Sequence, residues 1–211
     1  RFWTSRIDTL DRLLREEDAA ASLSSVPERR GLMQMKDIDA DRARMVDDGT
    51  LVIQRWLPGP AERLWRYLVD SEKRRQWLAA GEMELVADAA FELVWRNDEL
   101  SAAADPRPEG FPEVQRLQSR VVAVDPPRRL VIAWGAGEVS FDLDDRGDRV
   151  LLTVRHSGLS AGPVRSEVAG GWHMHLDILA DRLSERTPRS FWSGWARLRD
   201  LYAGLAPGAQ P

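Results

Sequence analysis

The chain carries three histidines, nine tryptophans and no cysteine in 211 residues, and these residue types bound its chemistry. His173 and His175 stand two apart in an amphipathic stretch. On a helix, two residues are separated by about 200°, so the pair cannot close on one metal ion. His175 lies at the edge of an apolar stripe, where a ring nitrogen could face a pocket. His173 lies off the other edge, and each ring reads first as a satisfied structural histidine. His156, at a strand end, could cap a turn or line a cavity mouth. Without thiols, neither a disulfide nor a thiolate metal site can form. No Ser-His-Asp order, no His-Glu-x-x-His pair and no phosphate-cradling glycine loop is present. Gly135-Ala136-Gly137 is a hairpin turn. The pairs Asp144-Asp145 and Asp47-Asp48 read as turn chemistry and solvated charge. No catalytic residue, metal or cofactor is expected. What remains is aromatic. Trp65, Trp77, Trp95, Trp134 and Trp172 are more rings than a core needs. With Phe141, His156, His175, Leu176 and Leu179, they are the candidate walls of a ligand pocket.

Charge narrows the partners. Lys and Arg total 30 against 34 Asp and Glu, a formal charge of -4. That balance gives no global attraction to nucleic acid or to an anionic membrane. Lys73-Arg74-Arg75 and Arg128-Arg129 are short and read as solvated faces. No direct nucleic-acid contact is expected. No run of about 18 apolar residues exists, so no membrane span is expected. The absence of cysteine and of a signal peptide is compatible with a reducing cytoplasm, the expected location.

The elements that must position these residues follow from periodicity. Trp172, Leu176, Leu179 and Leu183 fall on one stripe of a helix, extended by Val168, with Met174, Asp177 and Asp181 opposite. The stripe predicts a helix with one buried face and one in water. Gly170-Gly171 marks a break or a close approach before it. Upstream, alternation predicts strands over Phe91–Arg96, Glu138–Leu143 and Val150–His156, apolar groups on both faces predict one over Gly49–Leu57 and a compact apolar run one over Leu130–Trp134, and Glu82–Ala87 and Val114–Val124 are further candidates. Ala61, Leu64, Trp65 and Leu68 give a short helix. Ser71 can cap a second, ending near Trp77-Leu78. Asn97–Glu113 is long for a hairpin loop, as an insertion or a lid would be. A last helix runs from Ser190 to about Leu205. At the other end, Trp3, Ile7, Leu10 and Leu14 form a stripe on a helix over Arg1–Asp18, and Ala19–Asp48 reads as linker and loop. The expected domain is therefore 49–205.

The order of strand, two short helices, strands and long helix is the helix-grip arrangement. Ala61-Glu62-Arg63-Leu64-Trp65, Arg75-Gln76-Trp77-Leu78 and Val124-Asp125-Pro126-Pro127-Arg128-Arg129-Leu130-Val131 with Trp134 occur in that order. Val154-Arg155-His156-Ser157-Gly158-Leu159, Gly171-Trp172-His173-Met174-His175-Leu176 and Phe191-Trp192 with Trp195 follow. Together they resemble the Hsp90 ATPase activator homologue (AHSA-like) branch of the START-like (SRPBCC, Bet v 1-like) superfamily, over roughly Gly49–Leu205. The resemblance implies an α+β fold, a curved antiparallel sheet wrapped around a long C-terminal helix, with extra N- and C-terminal helices. It also implies a cavity between sheet and helix for a small hydrophobic molecule, and hence non-catalytic binding. A pocket of this kind holds several hundred Å³. The alternatives are a chaperone-associated interaction module and a cyclase-like or hydrolase-like enzyme. Phe2-Trp3-Thr4-Ser5-Arg6-Ile7-Asp8-Thr9-Leu10 resembles the C-terminal dimerisation helix of ArsR-type winged-helix repressors. That likeness implies the tail of a preceding domain, or a homodimer through the N-terminal helix.

Overall fold

The computed structural model describes residues 41–101 and 104–205. Seven strands form one antiparallel sheet in the order β1-β2-β7-β6-β5-β4-β3. They are β1 (Arg44–Met45), β2 (Leu51–Pro58), β3 (Ala90–Trp95), β4 (Gln115–Asp125), β5 (Arg129–Trp134), β6 (Gly137–Asp145) and β7 (Arg149–His156). The helices are α1 (Ala61–Val69), α2 (Ser71–Arg74), α3 (Val164–Leu183) and α4 (Phe191–Leu201). This is the α+β helix-grip fold.

Alternation builds the concave face. Ile53 and Leu57 of β2, Val139, Phe141 and Leu143 of β6, and Val150, Leu152 and Val154 of β7 are all buried. Register stacks them in rows, with Phe141 opposite Val154 and Leu143 opposite Leu152. The helix α3 lies along this face with Trp172, Leu176, Leu179 and Leu183 buried, as its stripe predicts.

The opposite side of α3 departs from the wheel. Met174 and Asp181 are buried rather than solvated: α4 packs on Met174 at Gly194, and Arg186 and Arg189 of the segment before α4 pair with Asp181. Gly170 lies inside α3, not at a break. A Cβ there would come within 2.8 Å of the backbone nitrogen of Arg199 on α4. Gly194 of α4 likewise leaves room for the Met174 sulfur. The glycines set how closely the two helices approach.

Four local expectations change. Asp70, not Ser71, caps α2, accepting from the Lys73 amide at 3.0 Å. The Ser71 hydroxyl accepts from the Gly81 amide instead. Glu82–Ala87 is not a strand, and Leu85 and Val86 are exposed. Gly81 turns the chain there at φ 134° and leaves only the single bridge Ala80–Val94. Arg74 is not on a solvated face. Buried, it donates to the carbonyls of Leu68, Val69, Ala79 and Gly81, tying α1 to the chain after α2. Finally, β1 falls in the stretch expected to be loop, with Met45 opposite Leu51. The N-terminal helix over Arg1–Asp18, the Ala19–Pro27 linker and any homodimer contact through them lie outside the described residues.

Candidate functional site

Sheet order gathers the aromatic residues. β3, β5 and β7 alternate with antiparallel partners and so run the same way. Their last residues, Trp95, Trp134 and His156, therefore share one end of the sheet. The Trp134 ring centroid is 5.3 Å from that of Trp95 and 5.4 Å from that of His156. The α3 helix adds Trp172, 5.4 Å from Trp134 and 5.8 Å from Phe141. These are edge and tilted contacts, the arrangements that ring quadrupoles favour.

The remaining walls come from α4 and the long insertion. Phe191, Trp192 and Trp195 are buried in the first turns of α4. Phe111 of the insertion lies 5.3 Å from Trp192 and 5.0 Å from Trp195. The insertion also supplies the cap of α4. The Ser190 side chain makes no cap bond. Instead the Asp105 carboxylate accepts from the amides of Trp192 at 2.9 Å and Ser193 at 3.0 Å. A carboxylate at this end also meets the positive end of the helix dipole. Ser101 Oγ accepts from the Phe191 amide, and Asp98 accepts from the Trp192 indole N–H at 2.8 Å. The insertion is thus latched onto α4 above the aromatic cluster.

These walls enclose a pocket of about 60 Å³. That is well short of several hundred, because the rings lean into the space between sheet, α3 and α4. Gly171 is among the lining residues, and a Cβ there would meet nothing within 4 Å. Leu78, Asn97, Gln115, Glu167 and Val168 complete the lining with His156 and His175.

Hydrogen bonds fix both rings. The Trp172 indole N–H donates to His156 Nδ1 at 3.0 Å. An indole nitrogen only donates, so the neutral imidazole carries its proton on Nε2. His175 Nδ1 lies 2.6 Å from the Trp77 carbonyl oxygen. A carbonyl only accepts, so His175 is protonated on Nδ1 and keeps a lone pair on Nε2. Burial pushes His156 down to about 3 and His175 down to about 4, the latter opposed by its bond to Trp77. The Asn97 carbonyl oxygen, Oδ1, is buried with no hydrogen-bond partner among the described residues.

Of the residues singled out in the sequence, Trp95, Trp134, His156, Trp172 and His175 line this pocket. Trp65, Trp77, Phe141, Leu176 and Leu179 are buried in the core instead. Trp77 is held there by its indole N–H, which donates to the Tyr67 carbonyl. Periodicity along one element could not show Phe111 or Asn97, which come from the insertion. Phe191, Trp192 and Trp195 carried a signal, an aromatic face on the last helix, but nothing in the pattern said what it covers.

A second polar cluster lies on another stripe of α3. Arg55 Nη2 donates to Asp177 at 3.0 Å, and Nη1 reaches the Asp41 carbonyl and carboxylate, each at 3.1 Å. Arg189 donates to the other Asp177 oxygen, and Arg186 to Asp181. The Tyr202 hydroxyl accepts from the Ala43 amide and lies 2.7 Å from His173 Nδ1. Burial pushes His173 down to about 3, and Arg55, Arg189 and Arg42 nearby push the same way. Burial raises Asp177 despite Arg55 and Arg189. Among the described residues, no three His, Asp or Glu side chains stand close enough to hold a metal ion. No described helix is long and apolar enough to cross a membrane.

An antiparallel sheet gripping a long C-terminal helix, with an aromatic pocket at one end of the grip, places the protein in the START-like (SRPBCC) class. The family "Activator of Hsp90 ATPase homolog 1-like protein" matches residues 58–184, and the chain belongs to it. A Bordetella parapertussis protein solved by NMR is similar over 90% of this chain and 97% of its own, at 29% identity and a TM-score of 0.66. A conserved protein of unknown function from Enterococcus faecalis shares the fold at 18% identity and a TM-score of 0.57, over 79% of this chain and 92% of its own. CalU16 from Micromonospora echinospora shares it at 21% identity and a TM-score of 0.53, over 78% of this chain and 94% of its own. No curated protein sequence matches the chain.

Proposed function

We propose that the protein binds a small, largely apolar aromatic molecule between the end of the sheet, α3 and α4, and does no chemistry on it. The observation that carries this is the pocket wall. Five tryptophans (Trp95, Trp134, Trp172, Trp192 and Trp195) and two phenylalanines (Phe111 and Phe191) converge there. The fold class supports a ligand-binding role. A ring in the pocket would have aromatic faces and edges on every side, each contact worth about 0.5–1.5 kcal/mol beyond area burial. The space of about 60 Å³ sets a condition. An occupant larger than a few atoms requires Phe111 and the α4 rings to swing outward. A chaperone-contact role draws less support, because the exposed large apolar residues Val46, Trp56, Leu85, Val86 and Leu201 come from several separate elements.

The test is the indole N–H spectrum of 15N-labelled protein titrated with toluene, indole and 2-naphthol. The expected result is that the Trp95, Trp134, Trp172, Trp192 and Trp195 resonances move while Trp56, Trp65 and Trp77 stay. Movement of Trp56 alone, or of none with any of the three compounds, would overturn the proposal.

A further inference from the structure

The polar atoms on the pocket wall say more than the rings do. Among the described residues no lysine or arginine lines it, and its one charged side chain is the Glu167 carboxylate, so the wall does not favour an anion. His156 and His175 are each engaged through Nδ1, by Trp172 and by the Trp77 carbonyl. Asn97 differs. It opens the short 3-10 turn Asn97–Leu100 that leads from β3 into the insertion, and it is 9% exposed. Asn97 lines the pocket, and its Oδ1 is shut away from solvent and accepts no hydrogen bond among the described residues. A buried amide oxygen without a donor is an exception in folded proteins, where such groups are almost always paired. Side chains kept for structure find partners, as Arg74 does with four backbone carbonyls.

We infer that Asn97 is the specificity-determining residue of the pocket, and that the ligand is a planar aromatic without negative charge presenting one N–H or O–H donor to Asn97 Oδ1. This rests on the ligand-binding reading above and adds the ligand's polarity to it. A donor on the ligand completes an acceptor that the protein leaves open. A ligand of the same shape without the donor seals that acceptor in unpaired, and sites built this way discriminate strongly.

Indole and benzofuran test it, since they match in shape and differ by an N–H against an oxygen. Calorimetric titration of the wild-type chain should show indole binding at least about five-fold tighter. Asn97→Leu should bring the two within about two-fold by weakening indole alone. The wild-type pair needs no variant, and the Asn97 side-chain amide resonance should move with indole and not with benzofuran. Equal affinities in the wild type, or a preference for benzofuran, would overturn the role of Asn97 and leave the pocket reading standing. Binding of neither compound would end both.

Discussion

Two stripes of α3 bury polar groups in opposite ways. One stripe, Val168, Gly171, Trp172 and His175, faces the aromatic pocket. The other, His173, Asp177 and Asp181, joins Arg55, Arg186, Arg189 and Tyr202. Among the described residues each region leaves one buried atom unpartnered, Arg55 Nε and Asn97 Oδ1. Arg55 nevertheless spends both terminal nitrogens on Asp41 and Asp177, so its charge is met within the protein. Asn97 stands on the pocket wall. The ionic stripe fastens α3 to β2 and to the chain before β1. The pocket stripe gives up contacts for space.

The contrast is broken most directly at Arg55 and Asn97. Arg55→Met leaves the half-buried Asp177 carboxylate with Arg189 alone, and should cost about 1–3 kcal/mol in urea unfolding. Asn97→Leu removes an unpaired acceptor, and should range from no change to a gain of about 1 kcal/mol. Similar losses at both positions would erase the distinction.

Acid sharpens it. His156 and His175 hold folded pKa values of about 3 and about 4, below the unfolded value near 6.5. Between those limits the unfolded chain takes up protons that the folded chain refuses. Stability is therefore fully present above about pH 7 and is lost as the pH falls. From pH 7 to pH 5 each ring should remove on the order of 2 kcal/mol. His175→Gln should flatten this dependence in unfolding curves at the two pH values. An unchanged slope would show that the ring is already charged in the fold.

The smallest effects separate adjacent glycines. Gly170→Ala pushes a Cβ against the Arg199 backbone and should cost about 1–3 kcal/mol. Gly171→Ala meets open space and should gain up to about 1 kcal/mol from helix propensity. Thermal melts of the two variants should move in opposite directions. Two losses would mean that the space beside Gly171 is needed for the fold.

Much of this fold can be read along the chain, because β3, β6 and β7 alternate in sequence, β2 and β5 carry apolar runs, and one stripe of α3 is apolar without interruption. Leu152 and Val154 of β7 and Leu176 of α3 are buried as their periods require. Periodicity describes one element against an unspecified partner, so it failed where a second partner arrives. Met174 and Asp181 look solvent-facing on a wheel; the first is covered by α4 and the second is paired with Arg186 and Arg189. Of the two readings of the Gly-Gly pair, a break or a close approach, the structure shows the close approach, at Gly170. The pocket was half legible for the same reason. Trp95, Trp134 and His156 end parallel-running strands, while Asn97 and Phe111 reach the wall only through the way the insertion latches to α4.

The central claim is that the space beside Gly171 receives a ligand. Calorimetric titration of indole into wild-type protein and Gly171→Leu tests it most directly, since the leucine side chain would fill that space from within. The expected result is saturable binding to the wild type and none to the variant, with the variant melting at the same temperature or higher. Equal affinity for both proteins would contradict it.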